Sequence, residues 1–220
     1  MPPGRKIPRP PATGPRRPAP PNDDAQPDAA VRKAAGELMA VWAEIRACDA
    51  CPRCTSAERA FGTGHPRAPI MLVKEHPSDE DLELTNAFAT EAEPLTKAFD
   101  ALGIPLSWLY GTTAVRCGTQ PATSDDVTAC AVHLLGEIEA VTPRVIVAFG
   151  ARAAEAIRAL DGRCGITVPE DLAQGTSSQI RSDLALVITE SLPDGLTGKE
   201  AKRRLWRDLQ ALPALLEAGT

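Results

Sequence analysis

Five consecutive apolar residues, Val145-Ile146-Val147-Ala148-Phe149, run into Gly150 and then into a helix-forming stretch over 151–160. A strand with no polar side is stable only where both faces are covered, the situation inside a parallel sheet with helices above and below. Three more strands are expected at Ile70-Met71-Leu72-Val73, over 109–115 and over 184–188. Helical spacing fills the intervals. Leu38, Trp42 and Ile45 share a stripe within 28–48, and Leu95, Phe99 and Leu102 share one in a helix that starts after Thr90 and is closed by Gly103. Ser124 can cap a helix to about Val141, with Val127, Ala131, Leu134 and Ile138 inward and Pro143 beyond it. Thr197-Gly198-Lys199-Glu200 has the form of a capping box and predicts a last helix to about Glu217. The expected fold is therefore α/β, a three-layer αβα sandwich with a central, mainly parallel four-stranded sheet. Such sheets bind ligands beyond the carboxyl ends of their strands, which singles out 74–88, 112–117 and 189–196.

Residues 1–27 cannot contribute to that sandwich. They hold 10 of the 21 prolines and almost no large apolar side chains, too little to offset the entropy of ordering, so a disordered Pro/Arg-rich tail precedes one domain over 28–220. The tail carries Arg5, Lys6, Arg9, Arg16 and Arg17 against Asp23 and Asp24; the rest carries 19 basic and 27 acidic residues. An acidic domain counts against strong general attraction to nucleic acid. Contact with phosphate falls to a local patch or to the tail, which can equally engage a protein partner. No apolar run reaches the length of a membrane span, and the N-terminus lacks the apolar stretch of a secretory signal, so the cytoplasm is the expected compartment and a monomer the expected state.

Six cysteines in a reducing compartment point to metal or chemistry rather than to disulfides. Cys48 and Cys51 form a C-x2-C pair, and Cys117 and Cys130 lie 12 residues apart, the latter early in a predicted helix. Four thiolates can hold zinc or a [4Fe–4S] cluster. Two other readings stand beside this one: cysteines packed as small hydrophobes, and Cys51-Pro52-Arg53-Cys54 as a thiol-redox motif.

The order of these features resembles the iron–sulfur uracil-DNA glycosylases, the family 4 type. The resemblance is carried by the C-x2-C pair, Phe61-Gly62-Thr63-Gly64-His65-Pro66, the strand 70–73, Val115-Arg116-Cys117, the helix with Cys130, and the strand 145–149 with Gly150-Ala151. It spans roughly residues 48–193 and is strongest over 109–151. It implies that Cys48, Cys51, Cys117 and Cys130 hold a structural [4Fe–4S] cluster, with zinc the less favoured occupant, and leaves Cys54 and Cys164 without counterparts. It also implies a DNA partner, uracil-containing or single-stranded.

Excision of a base demands a pocket that receives the extruded nucleotide, an aromatic ring to stack on it, an amide to read its edge, a carboxylate to direct water, and a donor for the departing anion. The family's first motif, about "GEAPG", aligns with Lys74-Glu75-His76-Pro77-Ser78, and its phenylalanine with Phe88, 13 residues after Glu75. The resemblance thus makes Glu75 the candidate catalytic carboxylate and Phe88 the stacking ring, with His76 a substitute donor. The base-reading Asn of "TNVVKC" is replaced by Thr113, and the His of "PTYHPS" by Leu192. A hydroxyl cannot reproduce an amide's paired donor and acceptor, and leucine donates nothing. Two functions follow: a glycosylase acting on uracil or another damaged base, or an inactive glycosylase-fold module that binds nucleic acid or protein. A thiol oxidoreductase using Cys51 and Cys54 is a third.

Overall fold

The computed structural model describes residues 28–55 and 58–218, so the tail expected over 1–27 lies outside the described residues. In chain order the elements are α1 (Ala29–Ala47), β1 (Thr63–Gly64), β2 (Ile70–Lys74), α2 (Asp79–Glu83), α3 (Ala92–Ala101), β3 (Leu109–Thr113) and α4 (Ser124–Val141). They continue with β4 (Val145–Phe149), α5 (Ala151–Arg158), β5 (Thr176–Arg181), β6 (Leu184–Thr189), α6 (Leu192–Thr197), α7 (Lys199–Leu209) and α8 (Leu212–Ala218).

The strands form one sheet in the order β1-β3-β2-β4-β6-β5. The inner four, β3, β2, β4 and β6, are parallel and are the four strands expected from the sequence. The sheet has six strands rather than four, because antiparallel β1 and β5 extend its edges. β1 is two residues long and β5 reads TSSQIR, with Ile180 its one buried position, so neither has an apolar run to betray it.

Alternation along the inner strands builds the two cores. Met71, Val73, Ile146, Ala148, Leu186 and Ile188 face a layer made by α1, α4 and α5. Ile70, Leu72, Val145, Val147, Phe149 and Val187 face α3, α7 and α8. That is the three-layer sandwich, and every residue of β2, β3, β4 and β6 is buried. Among the described residues no helix is long and apolar enough to cross a membrane.

Some boundaries differ from the sequence reading for local reasons. α4 is capped by Thr123, not Ser124, through a reciprocal box with Asp126. β3 ends at Thr113, although the Ala114 and Val115 amides still bond to the Lys74 and Glu75 carbonyls. The single last helix is two, α7 and α8, and a separate α6 precedes them. Thr197 closes α6, its hydroxyl donating to the Pro193 carbonyl, and supplies no cap to α7. Pro213 then forbids continuation of α7: its ring nitrogen has no proton, and it is accommodated in the first turn of α8.

Candidate functional site

Two structures meet beyond the carboxyl ends of the inner strands: a gathering of thiols and a small cavity. The thiols come from the end of α1, the loop after it, the loop after β3 and the first turns of α4. Cys54 lies among them. Its Sγ is 3.7 Å from that of Cys51 and 3.9 Å from those of Cys48 and Cys117. Cys130 is close enough to raise the Cys51 and Cys117 thiols electrostatically. Cys164 stands apart, exposed and bonded to Glu139.

The four sequence-predicted ligands are thus brought into one neighbourhood, and Cys54, which had no counterpart in the resemblance, joins them. The sequence contains overlapping C-x2-C pairs, 48/51 and 51/54, and spacing alone cannot choose between them. Burial pushes the Cys48, Cys51 and Cys130 thiols up, and Cys117 to about 12. Burial also raises Cys54, but hydrogen bonds from the Cys51 backbone and from the Cys51, Cys117 and Cys48 thiols outweigh it and bring Cys54 down. Gathered thiolates therefore need a cation to be stable here.

A single zinc with bonds of about 2.3 Å would set all its sulfurs about 3.8 Å apart. The short separations here all share Cys54, and among the described residues no group of three or more His, Cys, Asp or Glu is arranged to hold one metal ion. Five soft sulfur donors suit a thiolate-bound iron–sulfur cluster in kind.

Arg53, inside the cysteine loop, ties this loop to the one after β3. Its guanidinium donates to the carbonyls of Cys117 at 2.9 Å and Gln120 at 2.6 Å, and pairs with Asp126 at 3.6 Å. Beneath, Arg116 and Glu137 form a buried pair at 2.7 Å, with Tyr110 and Thr112 donating to the same carboxylate. Both segments that carry buried cysteines are anchored by this pair.

The cavity, of about 190 Å³, opens where β2, β4 and β6 end. Lys74, Glu75, His76, Ser78 and Glu91 line one side, and Phe149, Ser191, Leu192 and Pro193 the other. Gly150, at φ +88°, lets the chain leave β4 so close to Ser191 that a Cβ would lie 3.1 Å from the Ser191 Cβ. Glu75 Oε1 accepts a 2.9 Å hydrogen bond from the Ala122 amide, so the carboxylate is fixed to the loop that Arg53 holds. His76 lines the cavity with Nδ1 3.0 Å from its neighbour's carbonyl.

Phe88 and Thr113 are placed differently. Thr113 is fully buried, its hydroxyl has no hydrogen-bond partner among the described residues, and it does not line the cavity. Phe88 lines a separate cavity of about 470 Å³ and meets Phe149 edge-on at 6.1 Å. Phe149 is the ring that reaches the smaller cavity, a role hidden in the sequence by its place in a core strand.

The sequence also gave no sign of the ionic group on the cavity wall. Lys74 Nζ lies 2.5 Å from Asp81 and 2.7 Å from Glu91, all three buried. Asp81 in addition closes the capping box of α2 with Ser78. Burial raises Glu91 against the opposing pull of Lys74.

A model of the uracil DNA glycosylase superfamily matches residues 61–210, which include both β2 and β6 and the whole cavity. The chain belongs to the uracil-DNA glycosylase superfamily. Its similarity to a Type-4 uracil-DNA glycosylase of Pyrobaculum aerophilum is 31% identity over 132 residues, 58% of this chain and 67% of that protein. A Type-4 uracil-DNA glycosylase of Archaeoglobus fulgidus is 30% identical over 119 residues, 52% and 60% of the two chains. One from Thermotoga maritima is 32% identical over 123 residues, 53% and 64%. The chain thus spans about three fifths to two thirds of the length of these relatives. The superfamily implies DNA as the partner, and the α/β sandwich described above is consistent with its fold.

Proposed function

We propose that the protein is an iron–sulfur member of the superfamily that binds DNA and receives an extruded base at the cavity beyond β2, β4 and β6, excising uracil or another damaged base by hydrolysis of the N-glycosidic bond. The observation that carries this reading is Glu75. Its carboxylate lines the cavity while one oxygen is held by the Ala122 amide, which leaves the other for a water molecule.

Cys48, Cys51, Cys117 and Cys130 would hold the cluster, with Cys54 at hand. The cluster supplies a structural tie between the loops after α1 and β3. Arg53 already links those loops, and Glu75 bonds to the second of them, so a bound cluster would steady the carboxylate. Phe149 and Leu192 offer apolar walls to a base, and His76 and Ser191 the polar groups beside it.

A second reading, a glycosylase fold that binds without excising, is favoured by Leu192. It occupies cavity wall where an anion-stabilising donor is wanted, and loss of one such donor costs about 10²–10³ in rate.

The test begins with anaerobic purification, a visible spectrum and iron and sulfide analysis of the full chain. Four iron per chain is expected, falling sharply in Cys117→Ser and Cys130→Ser. Loaded protein is then incubated at stoichiometric amounts with uracil-containing single- and double-stranded DNA, and abasic sites are cleaved. Product that disappears in Glu75→Gln supports excision. DNA binding without product from uracil or other damaged bases supports the second reading, and a chain purified with zinc or no metal removes the iron–sulfur assignment.

A further inference from the structure

In a cavity that takes up a flat base, the side chain that matters most is the one already lying over the ring meant to stack with it. Lys74 ends β2, opposite Thr113 in the sheet register, and is 5% exposed. Its ammonium stands over the Phe88 ring, 5.2 Å from the centroid. We infer that Lys74 is the specificity-determining residue of this cavity, an internal cation seated over Phe88 in the place of a base, which bars bases from that ring. The inference rests on the reading of the cavity as a base seat.

Three observations support it. First, the ammonium is held. Two of its protons are directed at Asp81 and Glu91, at 2.5 and 2.7 Å, and the ring takes the cation on a further side. Asp81 cannot follow a moving lysine, because the same carboxylate accepts from the Ser78 amide at the start of α2. A base that displaced Lys74 would strand two buried carboxylates, which a low-dielectric interior does not tolerate.

Second, Phe88 offers no other surface to the smaller cavity. The ring packs so tightly on the β3 backbone that a Cβ at Gly111 would lie 2.5 Å from a ring carbon. Phe149 meets it edge-on, and the side chain is 7% exposed. Third, Lys74 and Glu91 line the cavity where Phe88 does not. They form the screen between the cavity and the ring. A glycine at position 74, which the family's motif has, would leave the ring uncovered from that side.

The experiment compares full-length, cluster-loaded wild type with Lys74→Gly, Lys74→Met and the double variant Lys74→Gly with Glu91→Gln. The double variant removes one of the two carboxylates that lose their partner, so the comparison survives poor folding of the single glycine variant. Affinities are measured for single-stranded oligonucleotides that differ at one central position, carrying uracil, each normal base or an abasic analogue. One base stacked on an aromatic ring is worth about tenfold or more in affinity. The wild type, with its Phe88 face covered, sets the baseline preference. The glycine variants should exceed the wild type's preference for at least one base over the abasic analogue by about tenfold, and Lys74→Met, which keeps the bulk, should not. Glycine variants that bind DNA as the wild type does yet show no base preference overturn the inference. So does a methionine variant that gains as much. Failure of every form to bind DNA defeats the base-seat reading itself, and this inference with it.

Discussion

His133 is buried in α4, and neither of its ring nitrogens has a hydrogen-bond partner among the described residues. Burial, reinforced by Arg116, lowers its pKa from the ordinary value. Above about pH 6.5 the imidazole is neutral in both folded and unfolded chains and stability is unaffected. As the pH falls through that value, the unfolded chain takes up a proton that the folded chain refuses, so stability declines until the lowered folded value is reached. Urea titrations at pH 7.5, 6.5 and 5.5 should show this decline, and His133→Leu should flatten it; an unchanged slope would remove His133 as its source. Residue-scale features like this are the hardest to read in a sequence. Phe88 and Thr113 align with a motif, yet Lys74 screens the first from the cavity and the second is enclosed in the sheet. Cys54 had no place in the resemblance and lies within 4 Å of three cysteines that did.

At the scale of elements, β3 and the loop after it are tied to α4 through Glu137. Glu137 is fully enclosed and accepts from Arg116, Tyr110 and Thr112 together. Glu137→Ala leaves a buried guanidinium without its carboxylate and should cost about 3–5 kcal/mol. Denaturant unfolding measures that loss, and because Cys117 and Cys130 flank the pair, the iron content of the variant should fall with it. A loss below about 1 kcal/mol would mean that water replaces the carboxylate easily. The strands of this region were legible because a continuous apolar run has one stable environment. The helix ends were less so. Thr123 and Ser124 can both cap, and only the position of Asp126 relative to the backbone selects Thr123.

For the whole molecule, charge divides unevenly along the sequence, and we propose that 1–27 supplies the phosphate contacts: residues 28–220 carry a formal −8, against five basic residues in 1–27. Each phosphate neutralised adds about 0.9 to the slope of log affinity against log salt on duplex DNA. Deleting residues 1–27 should therefore flatten that slope by as much as about 4.5. An unchanged slope would assign DNA contact to the domain alone. The sequence by itself determined the layered α/β plan, the four inner strands and the family, because burial on both faces leaves a repetitive apolar signature and motifs keep their order. Only the tertiary structure decided the two edge strands, the gathering of Cys54 with its neighbours, the substitution of Phe149 for Phe88 on the cavity wall, and the Lys74–Asp81–Glu91 group. Each of those depends on groups up to 119 residues apart meeting in space, and a local pattern carries no record of such a meeting.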